Sequence, residues 1–245
     1  SARTQAGPFI IPVVVHVVHN GENVGTGGNI SNAQIFSQIE VLNEDFKRLN
    51  ADTLNTPSEF RPIAGAMNVQ FVLARRDPVN QATDGIVRVQ GSRTSYNISQ
   101  LDLLRAESFW PSEDYLNIWV ANLSPASNLG FAQFPDINLP GLENEPRENR
   151  LTDGIIVNYR VFGSRDKGNF NLTNNFDKGR TATHEMGHYF GLKHIWGDVD
   201  NCTASDFVAD TPVQFSATRG CPLHPRESCE SLDMFQNYMD YTNDP

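Results

Sequence analysis

The stretch ATHEMGHYFGLKHIWGD carries three of the chain's six histidines within eleven residues, with a glutamate beside the first. On a helix, His184 and His188 are four residues apart, so their rings leave one face and can grip one ion. Glu185 sits about 100° around the helix from His184, near such an ion but poorly placed to ligate it. That position suits a general base acting on a water at the metal. Gly191 can take the left-handed conformation that ends a helix, letting the chain turn and bring back His194 as a third ligand. Three neutral imidazoles leave a fourth tetrahedral position open, as in catalytic zinc sites rather than closed structural ones. By composition, His-Glu-x-x-His alone would arise by chance in roughly one chain of this size in a hundred, and the extended pattern in about one in a hundred thousand. The plain alternatives are histidines on a solvated helix face, or a structural zinc. The latter usually uses thiolates, and the cysteines sit apart from this motif. His16 and His19, three apart on a strand, face opposite sides and do not readily share a metal, and His224 reads as a loop residue.

Periodicity outlines the elements that must carry this site. IIPVVVHVVHN reads as a buried strand, followed by the loop GTGGN. Ser31 can cap a helix whose apolar face runs Ile35, Ile39, Leu42 and Phe46. NVQFVLARRD alternates at Val69, Phe71 and Leu73 and reads as a second strand. A polar connection and a short helix near 100–106 lead to the strand YLNIWVANL. GFAQFP is short enough for an edge strand, DGIIVNY reads as an inner strand, and the 136–152 loop lies between them. RTATHEMGHYFGL is the second clear helix, and everything after Gly191 reads as irregular. The expected fold class is mixed α/β (α+β): about five strands and two main helices in 1–191, then a small irregular lobe in 192–245, together one catalytic domain.

A chain of 245 residues can bury a sizeable core, and 39% hydrophobic, 20% charged and 10% aromatic residues are ordinary for a soluble globular protein. A formal net charge of −10 and a pI near 5.0 argue against nucleic acid or an anionic membrane as partner. They leave room for calcium or basic peptide segments. No apolar run reaches membrane-spanning length, and the N-terminal SARTQAGPF lacks signal-peptide anatomy, so a secretory signal would already be gone. Cys202, Cys221 and Cys229 cluster in the last fifth of the chain, which favours disulfides and an extracytoplasmic address.

HEMGHYFGLKH matches the long zinc-binding consensus of the metzincin metalloproteases. CESLDMFQNYMDYTNDP resembles the Met-turn region of their pappalysin (cytophagalysin) branch. IPVVVHVVHN, NISNAQIFSQIEVLNEDFKRLN, GFAQFP, DGIIVNY and DTPVQFSATRGCP resemble that branch in the same order, so the resemblance covers nearly the whole chain. It implies a twisted mixed sheet with two helices above an active-site cleft and a secreted zinc endopeptidase acting on proteins and peptides as a monomer. By the same resemblance Met239 would form the floor beneath the zinc, and Tyr241 would donate a hydrogen bond to the developing oxyanion. The backbone of Gly130, Phe131 and Ala132 would hold substrate as an added strand. Asp244 would lie in the pocket for the residue after the cut bond and favour Arg or Lys at P1′.

The resemblance also implies structural calcium in the segment holding Asp198, Asp200, Asp206, Asp210 and Thr211. Asp206 and Thr211 fall at matching offsets from Cys202, whereas spacing alone reads as a solvated acidic loop. Cys202 would pair with Cys229. Cys221 would pair with a cysteine just past the Met-turn, a position beyond Pro245. Two further readings stay open at this stage, a silent protein-binding module of this fold and a zinc hydrolase of small amides or esters.

Overall fold

The computed structural model describes residues 7–143 and 151–244, so the centre of the expected 136–152 loop lies outside the described residues. Six strands form the main sheet: β1 (Phe9–His19), β2 (Val69–Leu73), β3 (Ile86–Gln90), β4 (Leu116–Ala121), β5 (Gly130–Ala132) and β6 (Gly154–Asn158). Their order is β2-β1-β4-β6-β5, with β3 also on β1. Every pairing is parallel except β5 against β6.

The five expected strands form the continuous path, and β3 is an addition within the expected polar connection. It is half-buried from Ile86 to Val89 and exposed at Gln90, and Arg88 interrupts its apolar run, so it lacks the pattern of an inner strand. β2 covers β1 from Phe9 to Val13 and β3 covers it from Val15 to His19, so two short strands share one side of a long one. The outward backbone groups of β2 at Phe71 are occupied. The Asn43 amide donates to the Phe71 carbonyl and accepts its N–H, both at 2.9 Å.

Three helices flank the sheet: α1 (Asn32–Phe46), α2 (Leu101–Ala106) and α3 (Arg180–Tyr189). The Ser31 hydroxyl accepts the Gln34 N–H at 3.1 Å and so caps α1, as its residue type predicts. Ile35, Ile39 and Leu42 of α1 and Ala182 and Met186 of α3 pack on the face formed by Val13, Val15, Ile118 and Ile155. The opposite face buries Trp119, Ile156 and Tyr96 under Leu101 and Leu104. Burial on both faces explains why β1, β4 and β6 read as apolar runs rather than alternating strands.

His16 points into the second face, fully buried, stacked 5.6 Å from Trp119 and hydrogen-bonded to Ser108 Oγ at 2.8 Å and Asn117 Oδ1 at 2.9 Å. Burial pulls its pKa down to about 4, so it is a neutral core residue.

Beyond α3 the regular elements among the described residues are two-residue strands: β7 (Arg219–Gly220), β8 (Glu227–Ser228), β9 (Ser231–Leu232) and β10 (Tyr241–Thr242). Ile195, Trp196 and Met239 make a small separate apolar cluster. Buried carboxylates take over the work of secondary structure here. Asp240 accepts from Thr218 N and Tyr241 N at 2.8 Å and from Gln214 Nε2 at 2.7 Å. Cys202 and Cys229 are joined by a disulfide, and Cys221 is free and exposed. Among the described residues no helix is long and apolar enough to cross a membrane.

Candidate metal centre

α3 ends as the sequence predicts. Gly191 has φ 92°, its N–H donates to His188 O at 2.8 Å, and the Leu192 N–H donates to Gly187 O at 2.9 Å. The chain reverses and brings His194 against the helix. The Nε2 atoms of His184, His188 and His194 lie 3.1–3.2 Å from one another. Each Nδ1 faces an oxygen: Tyr238 O at 2.6 Å for His184, Leu192 O at 2.7 Å for His188, and Asp198 Oδ1 for His194. A carbonyl can only accept, so Nδ1 of His184 and His188 carries the proton and Nε2 offers a lone pair. Burial first, then neighbouring histidine charge, pulls His184 down to about 3 and His188 to about 4. Three lone pairs at this spacing cannot bond one another. They fit one cation about 2.0–2.1 Å from each, the length of a zinc–imidazole bond. Among the described residues this is the one such convergence of three or more histidine, cysteine or acidic groups.

Glu185 is buried beside this centre, and burial pushes its carboxyl up to about 8 in the metal-free protein. Its side chain packs on the backbone of β5. A Cβ at Gly130 would lie 2.6 Å from Glu185 Oε1, so a larger residue there would displace the carboxylate. Met239 lies under α3, where a Cβ at Gly187 would come within 2.2 Å of its sulfur. The Tyr241 ring lies 4.7 Å from His194 and 5.6 Å from His184. Gly130, Phe131 and Ala132 pair with Val157, Ile156 and Ile155, leaving β5 at the end of the sheet beside α3.

Asp244 stands at the entrance of α3, where its Oδ2 accepts the Lys178 N–H at 2.7 Å and burial pushes its carboxyl up to about 6. Arg180, in the first turn, pairs with Asp45 and with Asp52 at 2.8 Å and lies 5.4 Å from the Tyr238 ring. Asp206 is buried, accepts the Val208 N–H at 3.0 Å and bonds the Thr211 hydroxyl. The carboxylates of Asp198, Asp200, Asp206 and Asp210 do not converge as the histidines do.

Sequence reasoning missed several neighbours. Phe134 meets His188 edge-on at 5.2 Å, Trp196 stacks on His194 at 4.3 Å, and the Arg219 guanidinium lies 4.9 Å from the Tyr241 ring. None belongs to a periodic pattern, although Trp196 and Asp198 stand within four residues of the last histidine.

The family described as Peptidase_M43, pregnancy-associated plasma protein-A, matches residues 100–244. An extracellular metalloprotease of Arthroderma otae is 30% identical over 238 residues, covering 96% of this chain and 70% of the relative. One of Pyricularia oryzae is 31% identical over 247 residues, covering 100% and 71%. Mature mirolysin of Tannerella forsythia, solved in complex with a cleaved peptide, is 44% identical with a TM-score of 0.84, covering 98% of this chain and 86% of its own. With its three convergent imidazoles, the chain belongs to the pappalysin (Peptidase_M43) family and is an extracellular zinc metalloendopeptidase.

Proposed function

We propose that His184, His188 and His194 hold the zinc and that Glu185 is the general base of an endopeptidase cutting before Arg or Lys. The observation that carries this is the triangle of Nε2 atoms with the carboxylate of Glu185, the next residue after His184 on α3, packed against the edge strand β5. When bound, zinc supplies a Lewis acid that makes water acidic and polarises a carbonyl. Positive charge at the histidines favours the ionised form of Glu185, offsetting the burial that raises its pKa. Its carboxylate then takes the proton of the attacking water and passes it to the leaving amine. The Tyr241 phenol donates to the scissile carbonyl oxygen as that atom gains charge. Gly130, Phe131 and Ala132 hold the substrate backbone as an added antiparallel strand, and Met239 supports α3 from below.

Asp244 binds the P1′ side chain. In support, it is a half-buried carboxylate at the entrance of α3, about one turn before His184. Asp206 and Thr211 hold a structural calcium ion, a reading supported by the buried Asp206 carboxylate and the family resemblance. Separate apolar clusters support a cleft that divides the domain into 1–191 and 192–245. The partner is a protein or peptide met by a monomer, in keeping with the peptide-bound mirolysin.

Incubation with a peptide library, with and without a zinc chelator, tests the reading. Cleavage before Arg and Lys that the chelator stops and zinc restores is expected. An apolar P1′ preference would remove Asp244 from the pocket, and chelator-resistant turnover would remove the metal. Glu185→Ala should lower kcat/KM by about 10²–10⁴ with zinc still bound.

A further inference from the structure

The three histidines are not held alike. His184 and His188 stand on α3, and their Nδ1 protons go to backbone carbonyls, which no side-chain substitution removes. His194 lies off the helix, and its Nδ1 partner is the Asp198 carboxylate. Trp196 covers the same ring, stacked at 4.3 Å with 12° between planes, and meets Tyr241 at 4.9 Å on another side.

The backbone is shaped to make this contact. The Gly197 N–H donates to His194 O at 2.9 Å, closing a tight turn. Gly197 and Asp198 then both take left-handed φ values, 69° and 66°, which bring the carboxylate back to a ring four residues earlier. Glycine suits the first position, where a Cβ would fall 2.6 Å from Ser205 N, and aspartate is among the few other residues that tolerate the second. The other carboxylate oxygen of Asp198 lies 3.7 Å from Lys193 Nζ.

We infer that Asp198 and Trp196 are the positioning residues of the third zinc ligand, and that this pair determines how tightly the centre holds its metal. Asp198 fixes the His194 tautomer with Nε2 bare and makes that nitrogen a stronger donor. Trp196 fixes the ring plane, and by touching Tyr241 it ties the ligand to the oxyanion donor. Asp198 therefore serves this histidine and not the calcium segment with which its acidic neighbours group it.

The inference rests on the three-histidine reading, and zinc titration against a competing chelator separates the two. His188→Ala should abolish tight zinc binding; if it does not, the proposed function itself fails. Asp198→Ala should weaken zinc affinity 10–100-fold. Asp198→Asn, which keeps the size and an acceptor oxygen but not the charge, should lose less. The metal-free Asn variant should unfold at the native temperature. Trp196→Leu should alter the visible spectrum of the cobalt-substituted protein, because the ring plane at the metal is freed. Native zinc affinity in both Asp198 variants, within about twofold, would overturn the inference, and the Asn variant decides the matter if the Ala variant does not fold.

Discussion

His184, Glu185 and His188 ride on a helix pressed against a sheet buried on both faces, whereas His194, Met239 and Tyr241 belong to a segment whose strands are two residues long. In the first region backbone ladders and apolar burial position the side chains, and many contacts share the load. In the second, single groups do so: Asp240 ties residues 214 and 218 to the start of β10, Asp198 holds His194, and one disulfide spans 27 residues. The difference teaches that one metal site can be built half from a redundant scaffold and half from individual bonds, so its two halves should fail differently.

The largest expected effect tests the redundant half. Ile118 is fully buried in the sheet, and Ile118→Ala should cost about 2–5 kcal/mol of global stability by urea unfolding. Enzyme that remains folded should bind zinc normally. A loss of zinc affinity without a loss of stability would break the contrast. Opening the Cys202–Cys229 bridge by reduction or by paired Cys→Ala changes comes next, at up to about 3.5 kcal/mol from loop-closure entropy. Zinc should be lost there before the helical circular-dichroism signal. A single cooperative transition for both would show that the segment is not separately held.

The smallest effect has opposite signs in the two regions of the zinc-loaded enzyme. His16 has its pKa lowered by burial from 6.5 to about 4, so the unfolded chain binds the extra proton. Stability present above pH 6.5 should fall by about 3 kcal/mol as pH drops through 4. Asp244 has its pKa raised by burial from 3.8 to about 6, so the folded chain binds the extra proton. Its contribution is complete below pH 3.8 and lost as pH rises through 6, by about 2–3 kcal/mol. Asp244→Asn should flatten that second limb in urea titrations across pH. A native slope in the variant would assign the limb to another group.

Much of the first region was legible because burial imposes a period. The histidine spacing, the Ser31 cap, the Gly191 stop and the apolar runs all follow from local rules. β3 escaped because a half-buried strand with a central arginine has no clean period. Apart from His194 and the clustered cysteines, the second region was legible through its resemblance to a family, since bonds such as Asp240 to Thr218 join residues far apart in sequence and leave no local imprint. Gly130 and Gly187 were hidden for another reason. A glycine required by Glu185 or Met239 looks like any other until the approaching side chain is seen.

The amide of Asn43, clasped on the outward backbone of β2, has a consequence for how the molecule behaves among other chains. An exposed strand edge pairs with a second copy of a chain as readily as with an extended peptide. Here one side of β1 is divided between two short strands, and the outer row of β2 is stoppered at Phe71. The short β5, packed on Glu185, ends the sheet on the other side, where on the function proposed above an added strand would meet Glu185.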